Sequence, residues 1–140
     1  MALARLPGEI ESRKCVDALD AKGYVLELQS DGTVKKATTR VYGIAYRDTI
    51  NPVTEQAEAN KYVPIITEGF CYVQAKLTAD VAVGDYVGLG ATAGKVDKLD
   101  VDTSSLANYE AWCKKLVGIA LEAKSSGYEG LLLVRLTIRG

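Results

Sequence analysis

The sequence predicts an all-β fold, a compact sandwich or barrel built from two similar β units, with a short helix or loop insertion near 102–115. Three observations carry this expectation. Short runs of period two alternate with turn residues about every eight to twelve positions, as in sandwiches and barrels. A sustained period of 3.6 is scarce. The two halves of the chain also resemble one another block by block.

In chain order, residues 1–14 mix isolated apolar positions (Leu3, Leu6, Ile10) with charges (Arg5, Glu9, Glu11, Arg13, Lys14) around Pro7-Gly8 and hold neither period, so they are expected to form an amino-terminal arm. Residues 15–140 are expected to form a single β domain. Its clearest strand is Phe70 to Leu77, where Cys71, Val73, Ala75 and Leu77 share one face and should meet the core, while Phe70, Tyr72, Gln74 and Lys76 share the other. The last strand, 131–139, alternates too. Leu132, Val134, Leu136 and Ile138 fall on its inner face, and Leu131 and Leu133 begin an otherwise polar outer face, covered either by a neighbouring subunit or by a loop. Between these strands, Asn51-Pro52 opens a polar stretch expected to be a long loop with a helical turn near 54–59. In the 102–115 insertion, Ser104 or Ser105 can cap a short helix with Leu106, Tyr109 and Trp112 on one side, Trp112 anchoring it to the sheet.

The first copy of the repeat runs Gly23-Tyr24-Val25, Asp31-Gly32-Thr33-Val34-Lys35-Lys36, and Val41-Tyr42-Gly43-Ile44-Ala45-Tyr46. The second runs Gly84-Asp85-Tyr86-Val87, Ala93-Gly94-Lys95-Val96-Asp97-Lys98, and Leu116-Val117-Gly118-Ile119-Ala120-Leu121. Pairing Tyr24 with Tyr86 and Gly32 with Gly94 gives an offset of 62, and Gly43 with Gly118 gives 75; the difference, 75 − 62 = 13, matches the insertion. Gly32 and Gly94 read as hairpin turns with a positive backbone angle. The small Gly and Ala of the third block leave room for a close neighbour. A further strand follows each copy, Tyr62 to Leu77 after the first and Gly130 to Ile138 after the second.

With 17 basic and 18 acidic residues, net charge −1, the chain carries no field that would hold nucleic acid or an anionic membrane. No apolar run approaches the length of a membrane span, and the amino terminus lacks the apolar centre of a signal peptide, so the chain is expected to be made and folded in the cytosol. Cys15, Cys71 and Cys113 are too far apart for metal-ligand spacing and odd in number, which suits small buried hydrophobes. Histidine is absent, which removes the commonest general base and metal ligand. The best carboxylate pairs, Asp97 with Asp100 and Asp100 with Asp102, lie in a polar turn beside Lys95 and Lys98 and read as solvated. No enzyme, cofactor, metal or small-molecule substrate is expected. A β carrier of biotinyl or lipoyl type is the alternative suggested by Ala82 to Val87, with Lys95 after Gly94 as the modifiable side chain.

Four groups of residues carry a family resemblance: Val63-Pro64-Ile65 leading into Glu68-Gly69-Phe70; Val83-Gly84-Asp85-Tyr86-Val87 with Gly94-Lys95-Val96; Leu116 to Leu121; and Gly130 to Leu136. In these the chain resembles the capsid decoration, or cement, proteins of tailed bacteriophages, over roughly residues 20–138. The resemblance implies a homotrimer on the outer surface of the mature head, bridging major capsid protein subunits and stabilising the lattice. It also implies that the arm binds the capsid by strand addition, with Leu3, Arg5, Leu6, Ile10 and Arg13 as contacts, although Pro7 cannot donate a backbone bond. Leu131 and Leu133 are the candidate oligomer contacts. Deleting residues 2–12 is expected to spare the fold and abolish capsid binding. Another structural phage role, in the tail or in head completion, is the alternative within the same class.

Overall fold

In a computed structural model, which describes residues 11–138, the chain forms two five-stranded closed barrels. The first is built from β1 (Glu11–Cys15), β2 (Val25–Leu28), β3 (Val34–Lys36) and β4 (Gly43–Ala45) and, beyond a small hairpin of β5 (Ile50–Asn51) and β6 (Gln56–Ala57), from β7 (Lys61–Ile66). The second holds β8 (Phe70–Lys76), β9 (Tyr86–Leu89), β10 (Val96–Lys98), β11 (Leu116–Ala120) and β12 (Glu129–Leu136), with α1 (Leu106–Lys115) between β10 and β11. Their strand orders are β1-β3-β2-β4-β7 and β10-β8-β12-β11-β9.

The two barrels have one topology. In each, a single parallel pairing closes the wall, Cys15 with Val34 in the first and Ala75 with Val96 in the second, and every other neighbour is antiparallel. Thus β1, β2, β3, β4 and β7 correspond to β8, β9, β10, β11 and β12. The repeat is real, but its first block is displaced by one residue from the sequence alignment. Val25 faces Ile44 as Tyr86 faces Ile119, and the Ala45 N–H donates to Tyr24 O as the Ala120 N–H donates to Asp85 O. Tyr24 therefore corresponds to Asp85, and Val25 to Tyr86. The hairpin between β9 and β10 is one residue longer than that between β2 and β3, and two tyrosines near one glycine disguised the insertion. Gly23 and Gly84 match, with φ of +93° and +94°, as do the turn glycines Gly32 and Gly94 at +86° and +76°.

On β8, Cys71, Val73 and Ala75 are buried and Phe70, Tyr72 and Lys76 are exposed, with Leu77 buried just past its end, as the period of two predicts. On β12 the buried set is Leu132, Val134 and Leu136; Ile138 packs against the same core beyond the strand's end. Other expectations need correction. The run 62–77 is two strands, because the chain turns at Gly69 (φ +88°) and passes from one barrel into the other. The 51–60 stretch is a β hairpin, with Glu55 and Asn60 at positive φ; its i,i+4 bond, from the Glu55 N–H to Asn51 O at 2.7 Å, closes the turn at 51–55 and not at the expected 54–59. Residues 11–14, assigned to the arm, are strand: β1 pairs with β7 from Glu11 onward. Removal of residues 2–12 would thus cut into the first barrel.

The helix is capped by Ser105, whose hydroxyl accepts from the Asn108 N–H at 3.1 Å, and Lys114 and Lys115 lie in its last turn, where they favour the negative end of the dipole. Trp112 anchors it, edge-on to Tyr86 with centroids 5.2 Å apart and stacked on Tyr109 at 5.8 Å. Leu106 does not join that face, being 74% exposed.

The buried residues form two core clusters, one within the first barrel and one that spans both barrels. Leu26, Ala45, Val63 and Ile65 fill the first with Cys15, Leu19, Tyr24 and Val34. Val25, Ala37, Val41 and Ile44 turn outward from it and merge with the interior of the second. Backbone bonds cross the seam: the Val25 N–H to Gly94 O (2.8 Å), the Gly94 N–H to Ala37 O (2.9 Å), the Gln74 N–H to Gly23 O (2.8 Å) and the Val41 N–H to Lys114 O (2.9 Å).

Candidate functional site

Of the carboxylates paired in the sequence, Asp97 and Asp102 hold turns. Asp97 accepts from the Thr78 N–H and hydroxyl (3.0 and 2.5 Å) and from the Lys98 N–H, and Asp102 accepts from Ser104. The Ser104 hydroxyl and N–H hold the Asp102 carboxyl below its usual range. Among the described residues, no group of His, Cys, Asp and Glu could hold a metal ion, and no helix is long and apolar enough to cross a membrane. The turn carrying Lys95 is not presented as a carrier hairpin would present it. Its Gly94 is buried against the first barrel, where an added Cβ would meet Tyr24 Cδ1 at 2.9 Å.

The thiols are core groups. Burial raises Cys71 to about 11 and also raises Cys15, so neither supplies thiolate at neutral pH. Cys113, on α1, is only partly buried. In the native protein a thiol reagent at pH 8 should therefore label Cys113 alone, and all three cysteines once the chain is unfolded. Rapid native labelling of Cys15 or Cys71, read by peptide mass, would contradict their burial.

Two surface features of the described residues bear on binding here. One is a cleft of about 330 Å³ where the barrels meet, lined by Lys22, Tyr46, Phe70, Tyr72 and Leu133. Its aromatic rings stand in water, Phe70 being 67% exposed. β8 fixes this arrangement, because the alternation that buries Cys71 and Val73 forces Phe70 and Tyr72 outward. Large rings held exposed on a rigid strand suit contact with another protein. The second is the β1 edge, where Arg13 bonds Glu11 (Nε to Oε1, 2.7 Å) and the Gly32 carbonyl (3.0 Å) and lies over the Tyr42 ring. The Tyr42 hydroxyl donates to the same Glu11 carboxylate.

Of the candidate contacts, Leu3, Arg5, Leu6 and Ile10 lie outside the described residues, and Arg13 sits in β1. Leu131 is covered within the chain: its Cδ2 lies 2.9 Å from where a side chain on Gly23 would begin. Leu133 lines the aromatic cleft. Sequence reasoning placed Phe70 and Tyr72 on an outer face without assigning them a role. The absence of any polar residue to break that aromatic pair's exposure was the available signal.

The described residues thus form a fused pair of β barrels with exposed aromatic side chains where the two meet. Residues 15–127 match the XM1 gp53 minor capsid protein family. The match covers most of the chain, which belongs to that family and is a structural, capsid-associated protein of a tailed phage. Comparison with curated proteins returns no match.

Proposed function

We propose that this chain is a decoration, or cement, protein that binds the outer surface of the mature head as a homotrimer and bridges major capsid protein subunits. The family match over residues 15–127 is the observation that carries this reading. The fold supports it. Two barrels joined through a common core form a stiff block, so force on one contact is transmitted to the next instead of being absorbed by a hinge. The residues before Glu11 lead directly into β1, an arrangement suited to an arm bearing Leu3, Arg5, Leu6 and Ile10 that adds to a sheet of the shell. Three tethered copies raise the effective concentration of each later contact, so weak individual contacts suffice.

The test is electron microscopy of expanded heads incubated with the full chain or with a chain lacking residues 2–10, a deletion that spares β1. Trimeric knobs on the lattice are expected for the full chain, with loss of most occupancy in the truncated one. Binding confined to the tail or portal vertex would assign the chain to another part of the virion, and unchanged occupancy after truncation would remove the arm from the contact.

A further inference from the structure

The contact between the two barrels is heterologous: one patch of the first barrel meets a different patch of the second. The first barrel contributes a tongue, Lys22–Val25, and a slot between Val25 and Ala37. In that slot the Ala37 N–H donates to Val25 O at 2.9 Å, while Gly94 of the second barrel takes the reciprocal pair. The second barrel contributes the Gly94 turn and a groove beside it. The groove is formed by Tyr72, Gln74 and Leu131, on which the tongue lies with the Gln74 N–H bonded to Gly23 O and Gln74 Nε2 bonded to Lys22 O.

Because the barrels share one topology, each carries the patch that its neighbour uses. By strand register Ser12, Lys14 and Tyr62 in the first barrel correspond to Tyr72, Gln74 and Leu131, and Gly32 corresponds to Gly94. These residues line an open groove of about 330 Å³. At the other end of the chain Val83, Gly84 and Tyr86 correspond to Lys22, Gly23 and Val25, and Leu99 to Ala37. The Leu99 N–H donates to Tyr86 O at 3.0 Å, and among the described residues nothing of the chain fills the reciprocal position as Gly94 does between Val25 and Ala37. A cavity of about 300 Å³ lined by Leu99, Trp112 and Lys115 opens there.

We propose that a second copy of this chain docks its Gly32 turn and β1 groove onto the Val83–Tyr86 tongue and the Tyr86–Leu99 slot of the first, an intermolecular counterpart of the seam in which Gly32 offers its carbonyl alone, its N–H being bonded to Gln29 O. Val83 of the tongue and Tyr62 of the groove, which this docking would cover, are 66% and 65% exposed in the single chain. Asp85, at the position of Tyr24, is held within its own chain by the Ala82 N–H at 2.9 Å and by Lys98 Nζ at 3.8 Å, and Arg13 is paired with Glu11, so the contact rests on shape and backbone bonds and not on charge. Of the acids beside that groove, Asp31 is bonded to the Thr33 N–H and hydroxyl and Glu11 to Arg13. A heterologous contact closes into a ring or runs on as a filament; three copies closing would place six barrels in one ring. The inference names the contact behind the proposed homotrimer and rests on the capsid reading only for the number of copies.

Sedimentation of the full chain, of Tyr62→Glu, of Val83→Glu, and of the two variants mixed in equal amounts tests it. Both substitutions fall on exposed side chains, and their folding is checked by circular dichroism. The wild type should sediment as a multiple of its 15.0 kDa mass and each variant as a monomer. The mixture should stop at a dimer, because one variant keeps a sound groove and the other a sound tongue. The proposal is overturned if the wild type is monomeric at its solubility limit, if both variants assemble as it does, or if the mixture stays monomeric, as an isologous contact would require. It is also overturned if only a chain lacking residues 2–10 assembles, since the arm would then occupy the groove. Capsid binding by a strictly monomeric chain would refute this contact and leave the decoration reading standing. Ring assembly without capsid binding would do the reverse.

Discussion

Substitution of Gly118 by alanine is expected to destabilise the protein by at least about 3 kcal/mol, lowering the thermal midpoint by roughly 10 °C. Gly118 lies in β11 where that strand crosses β12, and a Cβ there would overlap the Arg135 carbonyl oxygen and press on Val134 Cγ1 at 2.7 Å. Backbone cannot swing aside as a side chain can, so relief requires parting β11 from β12 and opening the barrel wall. The matching residue of the first barrel, Gly43, makes an internal control. Its Cβ would overlap Ile65 Cγ2 and approach Ile66 O at 3.0 Å and Thr67 Cγ2 at 3.2 Å; the worst obstacle is a methyl of a buried, β-branched side chain, which yields less than a flexible chain end but more than a paired carbonyl. Gly43→Ala should therefore cost about half as much. Urea unfolding of both variants checks the order. Equal costs, or a larger cost at Gly43, would mean that the crossing is not the tight point of the wall.

Those glycines were legible in the sequence because the block apolar-x-Gly-Ile-Ala occurs twice and small residues within a strand signal a close neighbour. The face assignments of β8 and β12 were legible because a strand with one side in the core writes its orientation in alternation. What the sequence could not separate was one closed unit from two. Val25 and Ile44 point away from the interior of the first barrel, yet are wholly buried because the second barrel covers them. A strand apolar on both faces reads as generic core, whichever neighbour covers it. The one-residue displacement at Tyr24 was hidden for a different reason: pattern matching rewards identical letters, whereas register follows hydrogen bonds. Tyr24 is buried beneath the Gly94 turn, with burial and the Asp20 hydrogen bond raising its hydroxyl to about 12, while Tyr86 stands 41% exposed beside Trp112.

The heterologous seam also explains why the chain can be internally repetitive and functionally polar at once. An isologous junction would have consumed the same patch on both barrels and left two equivalent surfaces. The seam found here consumes a tongue on one and a groove on the other, and leaves the complementary pair facing outward. The barrels also diverge by insertion: α1 stands beside the open slot of the second, its Lys114 carbonyl bonded to the Val41 N–H across the seam, and the β5–β6 hairpin follows β4 of the first.

A second large effect is expected at Glu27, the one carboxylate among the buried residues. Its Oε1 accepts from the Thr38 N–H at 2.7 Å, the Thr39 N–H at 3.1 Å and the Thr38 hydroxyl at 3.2 Å, tying the loop after β3 to β2, with Lys35 Nζ 4.0 Å from Oε2. Burial alone would raise its pKa, but the bonds from Thr38 and Thr39 together with Lys35 outweigh burial and lower it. Glu27→Ala should cost about 2 kcal/mol, because charge-assisted bonds are lost and the loop's N–H groups fall back on water. Glu27→Gln keeps an acceptor and should cost about half of that. Since the folded value lies below the unfolded one, the contribution is fully present above the ordinary glutamate value of 4.5 and disappears as pH falls through the folded value. The stability difference between wild type and Glu27→Gln, measured by urea unfolding, should hold steady at pH 6 to 7 and shrink on acidification below pH 4.5. Asp20, Asp31 and Asp102, whose carboxyls are also held low, cancel in that difference because both proteins retain them. A gap that stays constant, or widens, in acid would show that Glu27 acts through its size and not its charge.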